Sequence, residues 1–215
     1  MSKIKYYIYG AGGFGRSVLP ILKETVNDLD TIFFIDDYLK EKYCNNIRVI
    51  SSKKFKPDIY FDKVFIAISS INVRRSIVNK KKLFFKKKYN LISKKSLIFD
   101  ELQIGKGNII SPFCTIGSNV KIGNFNHMNL YSYIEHDCVI GNYVTLSPGV
   151  KCNGNVIIED NVFIGSGAII GNGTSQNPIV IGKGSIIGAG AIILKNLNKN
   201  SKIVALPPKK IFNST

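Results

Sequence analysis

Residues 104–170 read IGKGNIISPFCTIGSNVKIGNFNHMNLYSYIEHDCVIGNYVTLSPGVKCNGNVIIEDNVFIGSGAII. Every sixth position is a medium-sized apolar residue: Ile104, Ile110, Ile116, Ile122, Met128, Ile134, Ile140, Leu146, Cys152, Ile158, Ile164 and Ile170. An α-helix repeats every 3.6 residues, so a strict period of six cannot be helical. Two residues earlier stand small or β-branched side chains, among them Asn108, Cys114, Val120, Asn126, Ser132, Cys138, Val144 and Val150. Small at one site and Ile at the next fits a narrow interior. The hexapeptide period therefore predicts a parallel β-helix, each coil burying its side chains against the coils above and below. Three hexads make one coil, so residues 18 apart stack at about 4.8 Å. Glycine follows the apolar position at Gly105, Gly117, Gly123, Gly141, Gly165, Gly171, Gly182 and Gly188, where the chain must turn sharply and a Cβ is costly.

The period breaks once, between Ile170 and Ile181, before Ile187 and Ile193 resume it. The surplus, Asn172 to Pro178, is rich in Gly, Ser, Asn and Pro and should bulge outward as a loop.

At 215 residues the chain has room for two modest domains, divided here as 1–97 and 98–215. An apolar content of 45% is enough for packed cores. No apolar run approaches the roughly 20 residues of a membrane span, and residues 1–10 run straight into a strand without a signal-peptide pattern. A soluble cytoplasmic protein without membrane insertion is expected. Cys114, Cys138 and Cys152 fall on inward positions and read as core residues, while Cys44 stands alone in a loop. With two histidines and no paired cysteine spacing, no metal site is expected, which weighs against a β-helical metal hydratase. The net charge of +16 is densest at Arg74, Arg75, Lys80–Lys82 and Lys86–Lys88. Ile77, Val78, Leu83, Phe84 and Phe85 are interleaved there as on an amphipathic helix, so the run reads as a solvated face rather than a nucleic-acid surface.

The first domain opens with an apolar strand, Ile4 to Tyr9, then Gly10-Ala11-Gly12-Gly13-Phe14-Gly15, then a helical pattern through Val18, Leu19, Leu22 and Val26. Strand, glycine turn and helix are the context in which a backbone approaches a phosphate at a helix N-terminus. A second strand, Thr31 to Ile35, ends in Asp36-Asp37, where an acidic residue meets a ribose or base. A third, Lys63 to Ile68, ends at Ser69-Ser70. The reading is a small Rossmann-like βαβαβ unit, too short for a whole dinucleotide, which disfavours a nicotinamide dehydrogenase.

Both histidines lie in the repeat. His136, followed by Asp137, occupies a corner where side chains leave the coil, between Ser118 below and Gly154 above, and the glycine leaves space beside the imidazole. A neutral imidazole there can accept a proton near neutral pH, and the adjacent carboxylate fixes its tautomer or raises its basicity. His127 points outward in a column with Thr145 and Phe163.

The stretch Ile134-Glu135-His136-Asp137-Cys138-Val139-Ile140-Gly141, with Ser147-Pro148-Gly149 and Cys152-Asn153-Gly154-Asn155-Val156, resembles the signature of hexapeptide-repeat sugar acetyltransferases. Together with the Gly-Ala-Gly-Gly turn and Asp36-Asp37, the chain is similar to the two-domain bacterial nucleotide-aminosugar N-acetyltransferases of the perosamine and bacillosamine types and to sialic acid O-acetyltransferases. The resemblance implies a homotrimer of left-handed β-helices with acetyl-CoA in the groove between neighbours, and no metal. It implies that His136 is the general base and Asp137 its acidic partner. It carries acetyl-CoA contacts onto Thr145, Gly154, Ser166 and Ala189, with His127 beside them. Contacts to a nucleotide-activated amino sugar fall on Gly12, Gly13, Phe14, Asp36, Asp37 and Ser69. Phe14 and Thr145 stand where relatives carry histidines, and Val204-Ala205-Leu206-Pro207-Pro208-Lys209 resembles the family's ending with Ala205 in place of its glycine. Acetyl transfer to the amino group of a nucleotide-linked deoxyamino sugar, for surface-glycan assembly, is the activity expected. Sugar O-acetylation and a non-catalytic trimeric scaffold are the alternatives.

Overall fold

The computed structural model describes residues 3–26, 28–81, 85 and 89–205. Within the basic run, residues 82–84 and 86–88 lie outside these, as do residues 206–209 of the ending.

The first domain is a five-stranded sheet in the order β3-β4-β2-β1-β5, from β1 (Tyr6–Tyr9), β2 (Ile32–Ile35), β3 (Tyr43–Cys44), β4 (Ile47–Ile50) and β5 (Lys63–Ile66). All neighbours are parallel except β3 and β4. Helix α1 (Gly13–Lys23) joins β1 to β2 and buries Val18, Leu19, Ile21 and Leu22. The expected βαβαβ order is corrected at its second crossover. A hairpin stands between β2 and β5, and helix α2 (Ile71–Lys80) follows β5 and leads toward the repeat. The hairpin turns on Asn45 and Asn46 (φ 47° and 63°), residues that tolerate the left-handed region a two-residue turn needs. Cys44 accordingly lies in β3 rather than in a loop.

Residues 91–203 form the left-handed parallel β-helix, whose short strands stack into three sheets of six, five and seven strands. Each pairing is parallel and joins residues 18 apart, as in Thr115 with Tyr133 and His127 with Thr145, until the insertion lengthens the step. Coiling starts with Leu91–Ile92, which pairs with Ile109–Ile110. The inward apolar series forms one continuous core with Cys114, Cys138 and Cys152 inside it as free thiols.

The corner glycines are explained differently from expectation. A Cβ on Gly117 would stand 2.8 Å from the His136 nitrogen, and one on Gly123 2.5 Å from the Gly141 oxygen. Close approach of the next coil excludes the side chain there. The left-handed residues come two positions later and are mostly not glycine: Asn119, Phe125, Tyr131, Asp137, Tyr143 and Asn155, with φ from 55° to 60°.

The first domain docks on the outward face of the seven-stranded sheet. Leu91 and Ile109, which point away from the β-helix interior, belong to the core built around β1 and α1. Phe125 packs with Tyr7, Ile35 and Phe85. Glu24 at the end of α1 accepts from the Ser93 hydroxyl and the Lys94 N–H. Higher up the same face this cover ends, and Ile186 is 46% exposed.

Candidate active site

His136 sits on a corner of the β-helix with its side chain 55% exposed. Asp137 adopts φ 58°, and its Oδ2 lies 2.8 Å from His136 Nδ1. An ionised carboxylate can only accept, so Nδ1 carries the hydrogen and Nε2 keeps the lone pair. The bond from His136, with one at 3.2 Å from Asn119 Nδ2, holds the Asp137 carboxyl below its usual range and keeps it an acceptor. Asn119 escaped the sequence reading, although the 18-residue stacking rule places it directly below Asp137.

Gly154 lies one coil above the imidazole. A Cβ built there would meet His136 Nε2 and Cε1 at 2.6 Å. Gly154→Ala should therefore leave the β-helix intact while displacing the ring from Asp137, lowering kcat about ten- to a hundredfold. Steady-state kinetics with a melting curve checks this, and an unchanged kcat contradicts it. The insertion sits on the next coil of the same column: Asn172 Oδ1 accepts from the Gly154 N–H, and the Gly154 carbonyl accepts from the Gly173 N–H. Residues 174–177 above it are exposed, as a bulged loop requires.

Ser166 and Ala189 are exposed and stack on a different corner, where the Gly190 N–H donates to the Ser166 carbonyl and the Gly167 N–H to Pro148. Within one chain they stand apart from His136.

In the first domain a cleft of about 490 Å³ opens beyond the carboxyl ends of β1, β2 and β5, lined by Gly10, Asp36, Asp37, Ser52, Ile68 and residues of α2. The sheet order changes direction between β1 and β5, the usual place for a ligand in such sheets. The glycine turn divides by role. Gly10 needs its φ of 103°, and a Cβ on Gly15 would stand 1.9 Å from the Gly10 oxygen. Nothing lies within 4 Å of a Cβ on Gly12 or Gly13, so packing does not demand glycine there and a ligand can approach. Asp36 Oδ2 accepts from Ala11 N–H, and Oδ1 from the N–H groups of Tyr38 and Leu39. Burial alone would raise this carboxyl, yet the three N–H donors hold it below its usual value. Asp36 thus ties the glycine turn to β2, and Asp37, which accepts the Ser52 N–H, faces the cleft.

Three of the residues expected to contact ligands are packed between the domains, His127 and Thr145 buried and Phe14 half-buried. His127, Thr145 and Phe14 meet in the seam between the domains. His127 is 1% exposed and Thr145 3%. The Phe14 ring lies 4.7 Å from the His127 ring. The fully buried Arg74 completes the cluster: Nη1 donates to Ile68 O (3.0 Å) and His127 Nδ1 (2.9 Å), and Nη2 to Tyr143 O (3.1 Å) and Thr145 Oγ1 (3.0 Å). His127 Nε2 lies 2.8 Å from Ile66 O, an acceptor only, so Nε2 is the protonated nitrogen and Nδ1 accepts from Arg74. Burial pulls the Arg74 pKa down to about 10, which leaves it charged at neutral pH. The basic run read as a solvated face therefore contains one wholly internal cation.

Burial, and then the neighbouring guanidinium, push His127 well below its ordinary 6.5. Unfolding returns it to about 6.5, so below that pH the unfolded chain binds one proton more than the folded one. Stability is thus complete above about pH 6.5 and falls as pH drops, by up to about 1.4 kcal/mol per unit, until the folded value is reached. Urea unfolding between pH 7 and 5.5 should show this slope, and His127→Gln, whose amide offers one donor and one acceptor, should remove it. A slope that persists in the variant contradicts the assignment.

Among the described residues no three His, Cys, Asp or Glu side chains cluster as a metal site, and no helix is long and apolar enough to cross a membrane.

Comparison with known proteins adds three relatives and a family. The model of the PglD N-terminal domain matches residues 5–81. GDP-perosamine N-acetyltransferase of Escherichia coli O157:H7 is 42% identical over 184 residues, 83% of this chain and 83% of that protein. WeeI from Acinetobacter baumannii AYE is 40% identical, with a TM-score of 0.89 over 94% of this chain and 97% of that one. The acetyltransferase domain of PglB from Neisseria gonorrhoeae FA1090, solved in complex with acetyl coenzyme A, shares the fold at 22% identity (TM-score 0.82, covering 98% of this chain and all of that one).

Proposed function

The chain belongs to the PglD-like family of two-domain nucleotide-sugar acetyltransferases, and from that premise we propose that it acetylates the amino group of a GDP-linked 4-amino sugar of the perosamine kind. It is an acetyl-CoA-dependent N-acetyltransferase of nucleotide-linked amino sugars. The observation that carries the mechanism is the His136–Asp137 pair, with its unprotonated Nε2 on an exposed corner beneath Gly154.

Nε2 takes a proton from the acceptor amine as the nitrogen attacks the thioester carbonyl. The C–N bond forms, the C–S bond breaks, and the proton leaves His136 for the departing sulfur. Asp137 holds the imidazolium formed in between. Positioning and this proton transfer supply the catalysis, without an acyl-enzyme.

The nucleotide is proposed to occupy the cleft at the carboxyl ends of β1, β2 and β5, with phosphates at Gly12 and Gly13 and contacts from Asp37 and Ser69. The separation of His136 from Ser166 and Ala189 on two corners favours a homotrimer in which one acetyl-CoA touches both corners from neighbouring copies, alongside Gly154. A cytoplasmic location follows from the need for acetyl-CoA and a nucleotide sugar.

The test is CoA release with GDP-, UDP- and dTDP-linked amino sugars and with free sialic acid. Turnover is expected with the GDP-linked amine first. Turnover with hydroxyl acceptors alone overturns the reading.

A further inference from the structure

The lowest coil of the β-helix has a neighbouring coil on one side only. Its strands β6 (Leu91–Ile92), β7 (Leu97–Ile98) and β8 (Gln103–Ile104) are each the outermost strand of their sheet. A solenoid ordinarily closes such an end with a polar terminal repeat, since its inward side chains are otherwise left open and its strand edges unpaired. Among the described residues this end is apolar instead. Ile98, an inward residue, is 36% exposed, Leu97 and Phe99 on either side of it are 55% and 47% exposed, and Leu102 and Ile104 are only partly buried.

Strand β7 lies within residues 94–101, KKSLIFDE, which are basic at one end, apolar in the middle and acidic at the other. Lys94, Lys95, Asp100 and Glu101 are all exposed, and none of them makes an ion pair among the described residues. A stretch with this pattern is complementary to a second copy of itself running antiparallel. With Ile98 opposite its counterpart, Leu97 meets Phe99 and Lys95 meets Glu101. Directly opposite residues of an antiparallel pair share a face, so apolar meets apolar and each cation meets an anion.

We propose that this end is an interface with a second copy of the chain, formed about a two-fold axis perpendicular to the six-stranded sheet so that β7 pairs with β7. The rotation lays the corner of Lys94 and Lys95 on that of Asp100 and Glu101, twice over, and joins the open ends of the two cores. It also exchanges the seven- and five-stranded faces. The two first domains, each docked on its own seven-stranded face, therefore lie on different sides of the stack. A two-fold contact uses one patch on both copies and closes after a single pairing, so it doubles the assembly and goes no further. The six-stranded sheet lies between the His136 and Ser166 corners, so this axis fits the three-fold arrangement proposed above without depending on it: two chains in its absence, six in its presence.

The experiment measures the mass of the full-length protein in solution by light scattering, for the parent, Lys95→Glu, Glu101→Lys and the double variant carrying both changes. The parent should contain an even number of chains, two or six. Either single change sets like charges against each other at both ends of the strand pair and should halve the mass. The double variant restores opposite charges and should recover it, and added salt should blunt these differences. Both positions are exposed, so circular dichroism should match the parent throughout. An odd number of chains in the parent overturns the proposal, as does an even number that neither single change lowers. A mass that is halved by the single changes and not recovered in the double variant overturns it too. These masses do not depend on which acceptor the enzyme uses, so failure of the acceptor assignment leaves the interface standing.

Discussion

His136→Ala should lower kcat for acetyl transfer by two to four orders of magnitude and leave the fold untouched. A positioned general base contributes about 10²–10⁴ to a rate. Here the position is fixed by Asp137, whose φ of 58° turns its carboxylate back onto the preceding ring, and by Asn119 one coil below. The side chain is half exposed, so its removal opens no cavity and the change in stability should stay within about 0.5 kcal/mol. Asp137→Asn should fall between parent and His136→Ala, since an amide can present its NH2 to Nδ1 and invert the tautomer. Initial rates of CoA release decide the matter, and a His136→Ala enzyme running at the parent rate removes the base from the mechanism.

Arg74→Ala should be the most destabilising substitution away from the apolar cores, at about 4 kcal/mol or more. The change empties a large buried volume and strands four acceptors, Ile68 O, His127 Nδ1, Tyr143 O and Thr145 Oγ1, in a seam closed to water. Each unmet buried polar group costs about 1–3 kcal/mol, and the cavity adds to that. Arg74→Met separates the two contributions, because it refills much of the volume without restoring the donors. Its loss should still exceed about 2 kcal/mol in urea unfolding, whereas a Met variant as stable as the parent would show that the guanidinium serves packing alone.

The β-helix was legible because its period is a direct image of its geometry: one side chain per hexad must fit the interior, and 18 residues return to the same corner. The same ruler placed His136 beside Gly154, and the seam residues resisted it. His127 and Thr145 do point out of the coil, as their register demands, yet register alone does not say whether solvent or a second domain lies outside. One signal was present, since Leu91 and Ile109 share that outward column and are apolar, whereas the outward positions at Lys121 and Lys151 on the other faces are charged. Arg74 was hidden among the surrounding cations, where nothing in its neighbours marks it as internal. The hairpin at Asn45-Asn46 was missed because the helix expected between β2 and β5 came from the topology of larger relatives of this sheet rather than from a helical pattern in residues 38–62.

The Arg74 seam has a kinetic consequence. His127 and His136 stand nine residues apart in one coil, so the first domain is clamped to the rung that carries the proposed base. Two bodies joined through a shared core and a buried cation should move together. If the nucleotide lies in the cleft as proposed, the span from cleft to His136 should then favour an acceptor whose nucleotide-to-nitrogen distance matches it over one a single bond longer or shorter.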